Sequence, residues 1–170
     1  MWYVIQTQTG REDYVLRLIE RNVVEECYQE LFIPRICKMK RVRGEWRERT
    51  EPLVPGYLFV ITNQVELLSA ELRSVPALTR LLGNGDLFTP LSDAEVRTID
   101  LFTEGKHRLV GMSEGVVEGD DIVITSGPLL GQRALIKRID RHRRLAYVEI
   151  EFMGRRKEVS LGLEVVRPTA

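Results

Sequence analysis

The sequence predicts two folded regions, an α+β domain followed by a small all-β barrel. Helix-start signals recur three times before residue 104, and apolar residues at helical spacing follow them. No helix signal of comparable strength follows residue 117, where short strands alternate with turns. Between these regions, residues 104–115 have no clear period and contain glycines, which is typical of a linker. We therefore expect an N-terminal domain over 1–103, a linker over 104–115 and a barrel over 116–170.

The first domain is predicted to open with a strand over 2–8 and then to alternate strands with helices. Each helix start is a capping box, in which a short polar side chain and a carboxylate three residues later bond each other's backbone N–H groups. The boxes pair Thr9 with Glu12, Asn63 with Glu66, and Ser92 with Glu95. Further elements are expected as strands at 31–33, 57–62 and 78–82, an exposed basic hairpin at 39–51 and a turn at 83–85.

The barrel is predicted from short strands at 121–125, 132–139, 144–152, 155–161 and 164–167. In the third of these strands, Val148, Ile150 and Phe152 alternate with Glu149 and Glu151, so one face is expected to be buried. A domain this small has a marginal core, and closing its sheet into a barrel removes the exposed edges.

Composition excludes several classes of function. The 25 Lys and Arg residues balance 25 Asp and Glu residues, so electrostatic binding must come from local charge clusters. Cys27 and Cys37 have no metal-like spacing and lie far from His107 and His142, so we expect no metal and no cofactor. No phosphate loop or catalytic triad pattern indicates an enzyme. No signal peptide and no apolar run of about 20 residues is present, so we expect a cytoplasmic monomer without a membrane partner.

The segment 51–60 joins a bend to an apolar strand. Pro55 presets φ and Gly56 allows a positive φ, which fixes the direction of the chain. Tyr57 and Phe59 are two residues apart, so on a strand they share one face. That face is either core beneath the helices or a docking surface, and the pattern alone favours core.

Four motifs, in order, resemble those of the NusG family of transcription elongation factors. They are Trp2-Tyr-Val-Ile5 with Gly10-Arg-Glu12, Pro55-Gly-Tyr-Leu-Phe-Val60, Arg73-Ser-Val-Pro76, and Gly119-Asp-Asp-Ile-Val-Ile124 with Gly127-Pro-Leu-Leu-Gly131. The last of them resembles a KOW motif. The resemblance covers nearly the whole chain. It implies an NGN domain, in which helices flank an antiparallel sheet, followed by an SH3-like KOW barrel.

The resemblance also implies a partner and a mechanism. In the family, the NGN domain binds RNA polymerase at the clamp helices of the β′ subunit, and the elongating state is favoured over pausing and termination. By motif position, the apolar pocket for this contact includes Val54, Tyr57 and Phe59, which reverses the preference for core. No bond is made or broken by such a factor.

The barrel loops are rich in basic residues and are expected to bind RNA. Arginine suits phosphates and exposed bases because its planar fork both donates hydrogen bonds and stacks. The pattern resembles the LoaP group of antiterminators within the family, which implies recognition of an RNA hairpin in a leader transcript. The alternative is a solvated surface. The candidates are Arg133, Lys137, Arg138, Arg141, His142, Arg143, Arg144, Arg155, Arg156 and Lys157.

Two other functions stay open at this point. One is a general NusG elongation and pausing factor whose barrel binds ribosomal protein S10 or the terminator Rho. Met153 stands where the family often has an aromatic residue for those contacts, so both partners are uncertain. The more distant alternative is a ribosome-associated RNA-binding protein, because KOW barrels occur there as well.

Basic residues of the first domain are candidates for contact with non-template DNA, since the resemblance places this side of the domain towards upstream DNA. Ordinary surface charge is the alternative for each of them. Trp46 lies near the predicted hairpin tip, where an exposed indole can stack on a base. The candidates are Arg11, Arg17, Arg21, Arg41, Arg43, Trp46 and Arg73.

Overall fold

The structure is a computed structural model that describes residues 1–84, 87–104 and 108–167. Its helices are α1 (Glu12–Asn22), α2 (Val65–Leu72) and α3 (Asp93–Thr103), with short 3-10 turns at Glu25–Cys27 and Arg133–Leu135. Its strands are β1 (Trp2–Gln6), β2 (Glu30–Phe32), β3 (Arg35–Val42), β4 (Glu45–Pro52), β5 (Tyr57–Ile61), β6 (Arg80–Leu81), β7 (Gly83–Asn84), β8 (Leu87–Phe88), β9 (Leu109–Val110), β10 (Ser113–Glu118), β11 (Asp121–Ser126), β12 (Ile136–Asp140), β13 (Leu145–Phe152) and β14 (Arg155–Val166).

The first of two compact units combines Met1–Pro34 with Val54–Val96. Its main sheet has the order β2-β5-β1-β6, and all neighbours are antiparallel. One face of this sheet joins the apolar sides of α1 and α2 in a buried core. The strands contribute Tyr3, Ile5, Leu58 and Val60 to it, and the helices contribute Val15, Ile19, Leu68 and Leu72. The predicted α+β class of this region is confirmed.

The capping box predicted at the start of α3 is confirmed. The Ser92 N–H donates to Glu95 Oε1 at 3.0 Å, and the Glu95 N–H donates to Ser92 Oγ at 3.2 Å. Both side chains therefore satisfy backbone donors that the helix start leaves without partners.

The two other predicted capping boxes are wrong. α1 begins at Glu12 with Arg11 as the N-cap residue, and no side chain caps it. The Glu12 carboxylate accepts hydrogen bonds from the N–H groups of Gly10 and Gly56, at 3.0 and 2.7 Å, instead of bonding Thr9. A distant part of the chain therefore competes successfully for the carboxylate.

The capping box predicted at Asn63 fails for a similar reason. α2 begins at Val65, one residue after the uncapped N-cap residue Gln64. Thr62 Oγ1 accepts from the Gln64 N–H at 2.9 Å and donates to the Cys27 carbonyl at 2.6 Å. The Thr62 hydroxyl, just after β5, thus supplies the hydrogen-bond acceptor that was expected to come from the Asn63 side-chain amide.

The second compact unit combines Arg35–Leu53 with the described residues from Arg97 onward. β3 and β4 form the predicted hairpin, and β9 pairs with β3 in parallel at Arg35 and Ile36. A five-stranded sheet has the order β11-β10-β14-β13-β12, in which only the β10–β14 pair is parallel. The alternation predicted for β13 is confirmed, because Val148, Ile150 and Phe152 are buried.

Two details of the predicted strands differ from the structure. The strands expected at 155–161 and 164–167 are one strand, β14, which passes through Gly162 without a turn. A Cβ atom at Gly162 would collide with the Cys37 carbonyl and the Met112 sulfur, so this glycine allows close packing rather than a break.

Strands also occur within the segment expected to be a linker, since β9 and the start of β10 lie in 104–115. The division into 1–103, 104–115 and 116–170 stays a prediction. The turn expected at 83–85 extends beyond the described residues, and Gly83–Asn84 form β7. None of the described helices is both long and apolar enough to cross a bilayer.

Candidate nucleic-acid interface

The β3–β4 hairpin places like charges directly opposite each other. In its register, Lys40 faces Arg47 and Lys38 faces Arg49. Opposed like charges destabilise a strand pair. Among the described residues, this charge is compensated only in part, by a Lys38–Glu51 ion pair at 2.7 Å and an Arg47–Glu45 ion pair at 3.5 Å. The hairpin therefore keeps an excess of positive charge that a polyanion can neutralise.

The other face of the hairpin carries Trp46 opposite Arg41. Trp46 is half-buried, and the Arg144 guanidinium carbon lies 4.3 Å from its ring centroid. Arg144 also forms an ion pair with Glu164 at 3.4 Å. The expectation of an exposed indole at Trp46 needs correction, because cation–π attraction places a guanidinium against the ring.

An open groove of about 490 Å³ lies between the hairpin and the turn at residues 140–145. Its basic lining comes from Lys38, Lys40 and Arg41 on the hairpin and from His142 and Arg143 on the turn. Its apolar lining comes from Met39, Trp46 and Leu145. We call this feature the basic groove.

The basic groove unites residues that the sequence assigned to different ligands. Arg41 and Trp46 were candidates for DNA, whereas His142, Arg143 and Arg144 were candidates for RNA. Lys38, Lys40 and Met39 were missed as site residues. The alternation of cations along 38–49 signals the basic hairpin, but nothing local shows that a turn far along the chain lies beside it.

Most of the other predicted RNA-binding cations are already paired with acids. The ion pairs are Arg133–Asp121 at 2.6 Å, Lys137–Glu149 at 3.6 Å, Arg138–Glu158 at 3.5 Å, Arg143–Asp140 at 3.8 Å and Arg156–Glu149 at 3.6 Å. Arg138 also stacks 3.8 Å above the Tyr147 ring centroid. Exposed pairs like these contribute little stability, so a phosphate can replace the carboxylate at small cost.

Arg141 and Arg155 differ from these cations. Both are exposed, and neither forms an ion pair with a residue that the structure describes. Lys157 is half-buried on β14. Arg141, Arg155 and Lys157 lie in or beside the β12–β13 and β13–β14 turns and do not line the basic groove.

The basic candidates of the first unit lie apart on its surface. Arg11, Arg17, Arg21 and Arg73 are all exposed, and Arg11 stacks 4.7 Å from the centroid of the Tyr14 ring. Arg17 and Arg21 are one turn apart on α1. In the second unit, Arg43 lies in the hairpin turn with a φ of 52°.

The bend before β5 is fixed by hydrogen bonds to the backbone groups of Gly56. Gly56 has a φ of +88°, and its N–H donates to Glu12 Oε1 at 2.7 Å. Its carbonyl accepts from the Thr7 N–H at 2.8 Å. A Cβ at Gly56 would lie 2.9 Å from Thr9 Oγ1, which is closer than side chains tolerate. This position therefore requires glycine for both conformation and space.

The predicted polymerase-binding residues are held by this bend, and two of them lie on β5. Leu58 and Val60 belong to the core beneath the helices, so Tyr57 and Phe59 point to the opposite face of the sheet. There Phe59 pairs in register with Val4 and Phe32.

The structure adds an aromatic cluster to this face that the sequence did not predict. Ring centroids are 5.7 Å apart for Phe32 and Phe59 and 5.2 Å apart for Trp2 and Phe32, both in edge-to-face arrangements. Phe59 is 0% exposed, Val54 is 2% exposed and Tyr57 is half-buried. Phe59 is therefore a buried residue outside the core that α1 and α2 cover, and the choice between core and docking surface stays open.

Both cysteines are free and buried. Burial raises the pKa of the Cys27 thiol, and Glu71 and Glu26 raise it further. Burial also raises the pKa of the Cys37 thiol, with a hydrogen bond and charge from Glu48 adding to the effect. Both thiols are therefore held in the neutral form. In the described part of the chain, no group of three or more His, Cys, Asp or Glu residues is placed to hold a metal ion.

Known proteins similar to this chain share one family. The NusG family, described as "Transcription termination factor nusG", matches residues 1–100. The transcription termination/antitermination protein NusG of Campylobacter jejuni is 28% identical over 166 residues, which cover 94% of this chain and 92% of that protein. The protein of the same name from Helicobacter pylori strain 26695 is 26% identical over 168 residues, covering 94% and 93%. A solved structure described as "Domain interaction in Thermotoga maritima NusG" has a TM-score of 0.57 and 27% identity, and covers 95% of this chain and 92% of that one.

Proposed function

The chain belongs to the NusG family, and we propose that it is a processive antitermination factor that binds RNA polymerase and RNA. It suppresses pausing and termination by stabilising the elongating state, and it makes and breaks no bonds. It acts in the cytoplasm as a monomer. The observation that carries this proposal is the pairing of an aromatic sheet face with a separate basic surface in one chain.

Polymerase binds through Val54, Tyr57 and Phe59, with the clamp helices of the β′ subunit as the docking element. An aromatic face suits the tip of a helical hairpin, whose apolar side chains can be buried against it. Because Phe59 is 0% exposed, a partner contacts its ring only after a local rearrangement. Tyr57 is half-buried and is the position that a partner contacts first.

RNA binds through the basic barrel loops, and its preferred form is a hairpin in the leader transcript. Exposed Arg141 and Arg155 offer guanidinium groups that are ready for phosphate. Arg133, Lys137, Arg138, Arg156 and their neighbours exchange weak surface carboxylate contacts for phosphate contacts. Contact of Arg11, Arg17, Arg21 and Arg73 with non-template DNA is a further part of this proposal.

Copurification of RNA polymerase with the full chain tests the polymerase contact. Tyr57→Ala should abolish copurification and readthrough of a terminator in a transcription assay. Tyr14→Ala is the matched control, because Tyr14 is 43% exposed on α1, away from the aromatic face. Equal polymerase binding by the two folded variants would contradict the assignment of the pocket.

A general elongation and pausing factor is the second candidate function. The observation that favours it is the number of barrel cations already paired with carboxylates, which weakens the field available to RNA. The barrel would then bind ribosomal protein S10 or Rho, and Met153 would contribute to that contact. Met153 lies half-buried in the β13–β14 turn. Binding of the chain to purified S10 or Rho, without salt-dependent RNA binding, would favour this function. The ribosome-associated alternative leaves the matched residues 1–100 without a role.

A further inference from the structure

We propose that the basic groove binds a single-stranded RNA segment, such as the loop of a hairpin. The inference rests on the proposed function for the choice of RNA as ligand. It goes further by giving the β3–β4 hairpin a direct part in RNA binding. Arg41 and Trp46 then act with the barrel turn on one ligand, instead of on DNA.

The charges of the basic groove support an anionic ligand. Lys40 and Arg41 form no ion pair with any residue in the described ranges, and Lys40 is opposed by Arg47. Across the groove, Arg143 is held only loosely by Asp140, with 3.8 Å between Nε and Oδ2. A phosphodiester between these walls gains a contact with a cation from each side.

The apolar lining of the groove favours a single-stranded ligand over a duplex. Met39, Trp46 and Leu145 offer surface for an unstacked base, whereas a duplex presents phosphates and leaves its bases inside the stack. A groove volume of about 490 Å³ suits a short unpaired segment and is too small for a helix. Sequence-selective RNA recognition uses such splayed bases, because their edges are free to bond.

The backbone of β3 adds further hydrogen-bonding groups. Strand pairing on the edge of β3 that faces away from β4 ends at Ile36 in the described chain. Residues 38–41, which line the groove, therefore follow a strand edge without a further ladder partner. Arg144 holds Trp46 from the barrel side, at 4.3 Å from the ring centroid. The two walls of the groove are thus joined before RNA binds.

The test compares three charge-matched double variants of the full chain. Lys40→Gln with Arg41→Gln removes two cations of the groove. Arg141→Gln with Arg155→Gln removes two barrel cations outside it. Arg80→Gln with Arg97→Gln is the surface control for the change in net charge, because both residues are exposed and neither belongs to a proposed binding site. Each is titrated by fluorescence anisotropy with a labelled single-stranded RNA of mixed sequence, its DNA equivalent and an RNA duplex, over a salt series that starts at low salt.

We expect the groove variant to lower the salt slope for single-stranded RNA by about 1.4, or about 0.7 for each lost phosphate contact. Its slope for the duplex should match that of the surface control. In a Trp2→Phe background, Trp46 is the remaining tryptophan. Unlabelled single-stranded RNA should then quench its fluorescence, because bases stack near the ring.

The outcomes separate this inference from the proposed function. If the barrel variant loses RNA affinity while the groove variant behaves like the surface control, the groove is wrong and RNA binding by the barrel stands. The reverse result supports the groove and removes Arg141 and Arg155 from the RNA site. Loss confined to DNA, or binding without quenching of Trp46, overturns the groove. Absence of salt-dependent RNA binding by the unaltered chain overturns both.

Discussion

The aromatic face of the first unit and the basic groove of the second are built in opposite ways. Phe59 is 0% exposed and lies in an edge-to-face cluster, and its strand starts from a bend fixed by hydrogen bonds of 2.7 and 2.8 Å. The groove is open, and Arg143 and Arg144 are held by ion pairs of 3.8 and 3.4 Å.

The difference shows what each surface needs before it can bind a partner. An apolar face gains free energy when it is covered, so the aromatic face contributes stability while it is buried, and the proposed docking on it requires a rearrangement. A cationic surface is available at once, because exposed ion pairs are weak and exchange readily for phosphate. Substitutions in the aromatic face should therefore change stability, and those in the groove should change affinity.

The largest expected effect is that of Phe59→Ala. Removing a buried phenylalanine ring costs about 3–5 kcal/mol of unfolding free energy, because the cavity is not refilled. Tyr57→Ala is the matched control on the same face, and its half-buried ring should cost less than half as much. Urea unfolding monitored by circular dichroism measures both. Similar losses of unfolding free energy for the two variants would show that the aromatic face is not more tightly packed around Phe59 than around Tyr57.

Gly56→Ala should have the next largest effect, and Gly44→Ala in the β3–β4 turn is its matched control. Both glycines have positive φ, +88° and +79°, so alanine costs about 1–2 kcal/mol at either position. At Gly56 the new Cβ also meets Thr9 Oγ1 at 2.9 Å, whereas nothing lies within 4 Å at Gly44.

This crowding should add about 1–3 kcal/mol at Gly56 alone. Thr9→Ala in the Gly56→Ala background should recover the crowding part and leave the conformational part. Chemical unfolding of the unaltered chain and the three variants gives each value. Equal costs at Gly44 and Gly56 would mean that the bend before β5 is as adaptable as the hairpin turn.

Local patterns predicted those parts of the fold in which no distant group intervenes. The Ser92 capping box forms, and the alternation in 144–152 correctly gives the buried face of β13. The box at Thr9 fails because Glu12 bonds Gly56, 44 residues away in the sequence. The separate strands expected at 155–161 and 164–167 are one strand, because Gly162 lets β14 pass close to the Cys37 backbone.

The candidate surfaces follow the same rule. Motif order was sufficient to single out Tyr57 and Phe59, and the period of two places them on one face of β5. Phe32 and Trp2 joined that face only through strand pairing, which the motif does not specify. Arg41 and Arg143 each belong to a charge run that is visible in the sequence. Both line the same groove only because β3 and β14 pack together, and no local pattern predicts that packing.

The Trp46–Arg144 contact gives a smaller effect within the second unit. Partly exposed cation–π pairs contribute about 0.5–1 kcal/mol, so a double-mutant cycle of Trp46→Leu and Arg144→Gln should return a coupling of that size. A parallel cycle with Arg141→Gln in place of Arg144→Gln should return no coupling. Thermal and urea unfolding supply the free energies. Coupling of several kcal/mol would make the groove as rigid as the aromatic face and remove the contrast between them.

The two buried thiols give the finest comparison, since Cys27 lies in the first unit and Cys37 in the second. Burial raises both pKa values, so modification by a thiol reagent should be slow at neutral pH and should accelerate as pH rises. The raised pKa also means that folding keeps the proton, so stability is complete below the ordinary thiol pKa and falls as pH rises above it.

Single-thiol chains, made with Cys37→Ala and Cys27→Ala, report local opening of each unit. Cys37 should react faster, because strand pairing on the outer edge of β3 ends at Ile36, whereas Cys27 belongs to the helix-covered core. Single-stranded RNA should slow the reaction of Cys37 and leave that of Cys27 unchanged. Equal protection of both thiols by RNA would show that RNA binding is not confined to the second unit. Faster reaction at Cys27 would show that the first unit opens more readily than the second. The roles given to the two regions would then have to be exchanged.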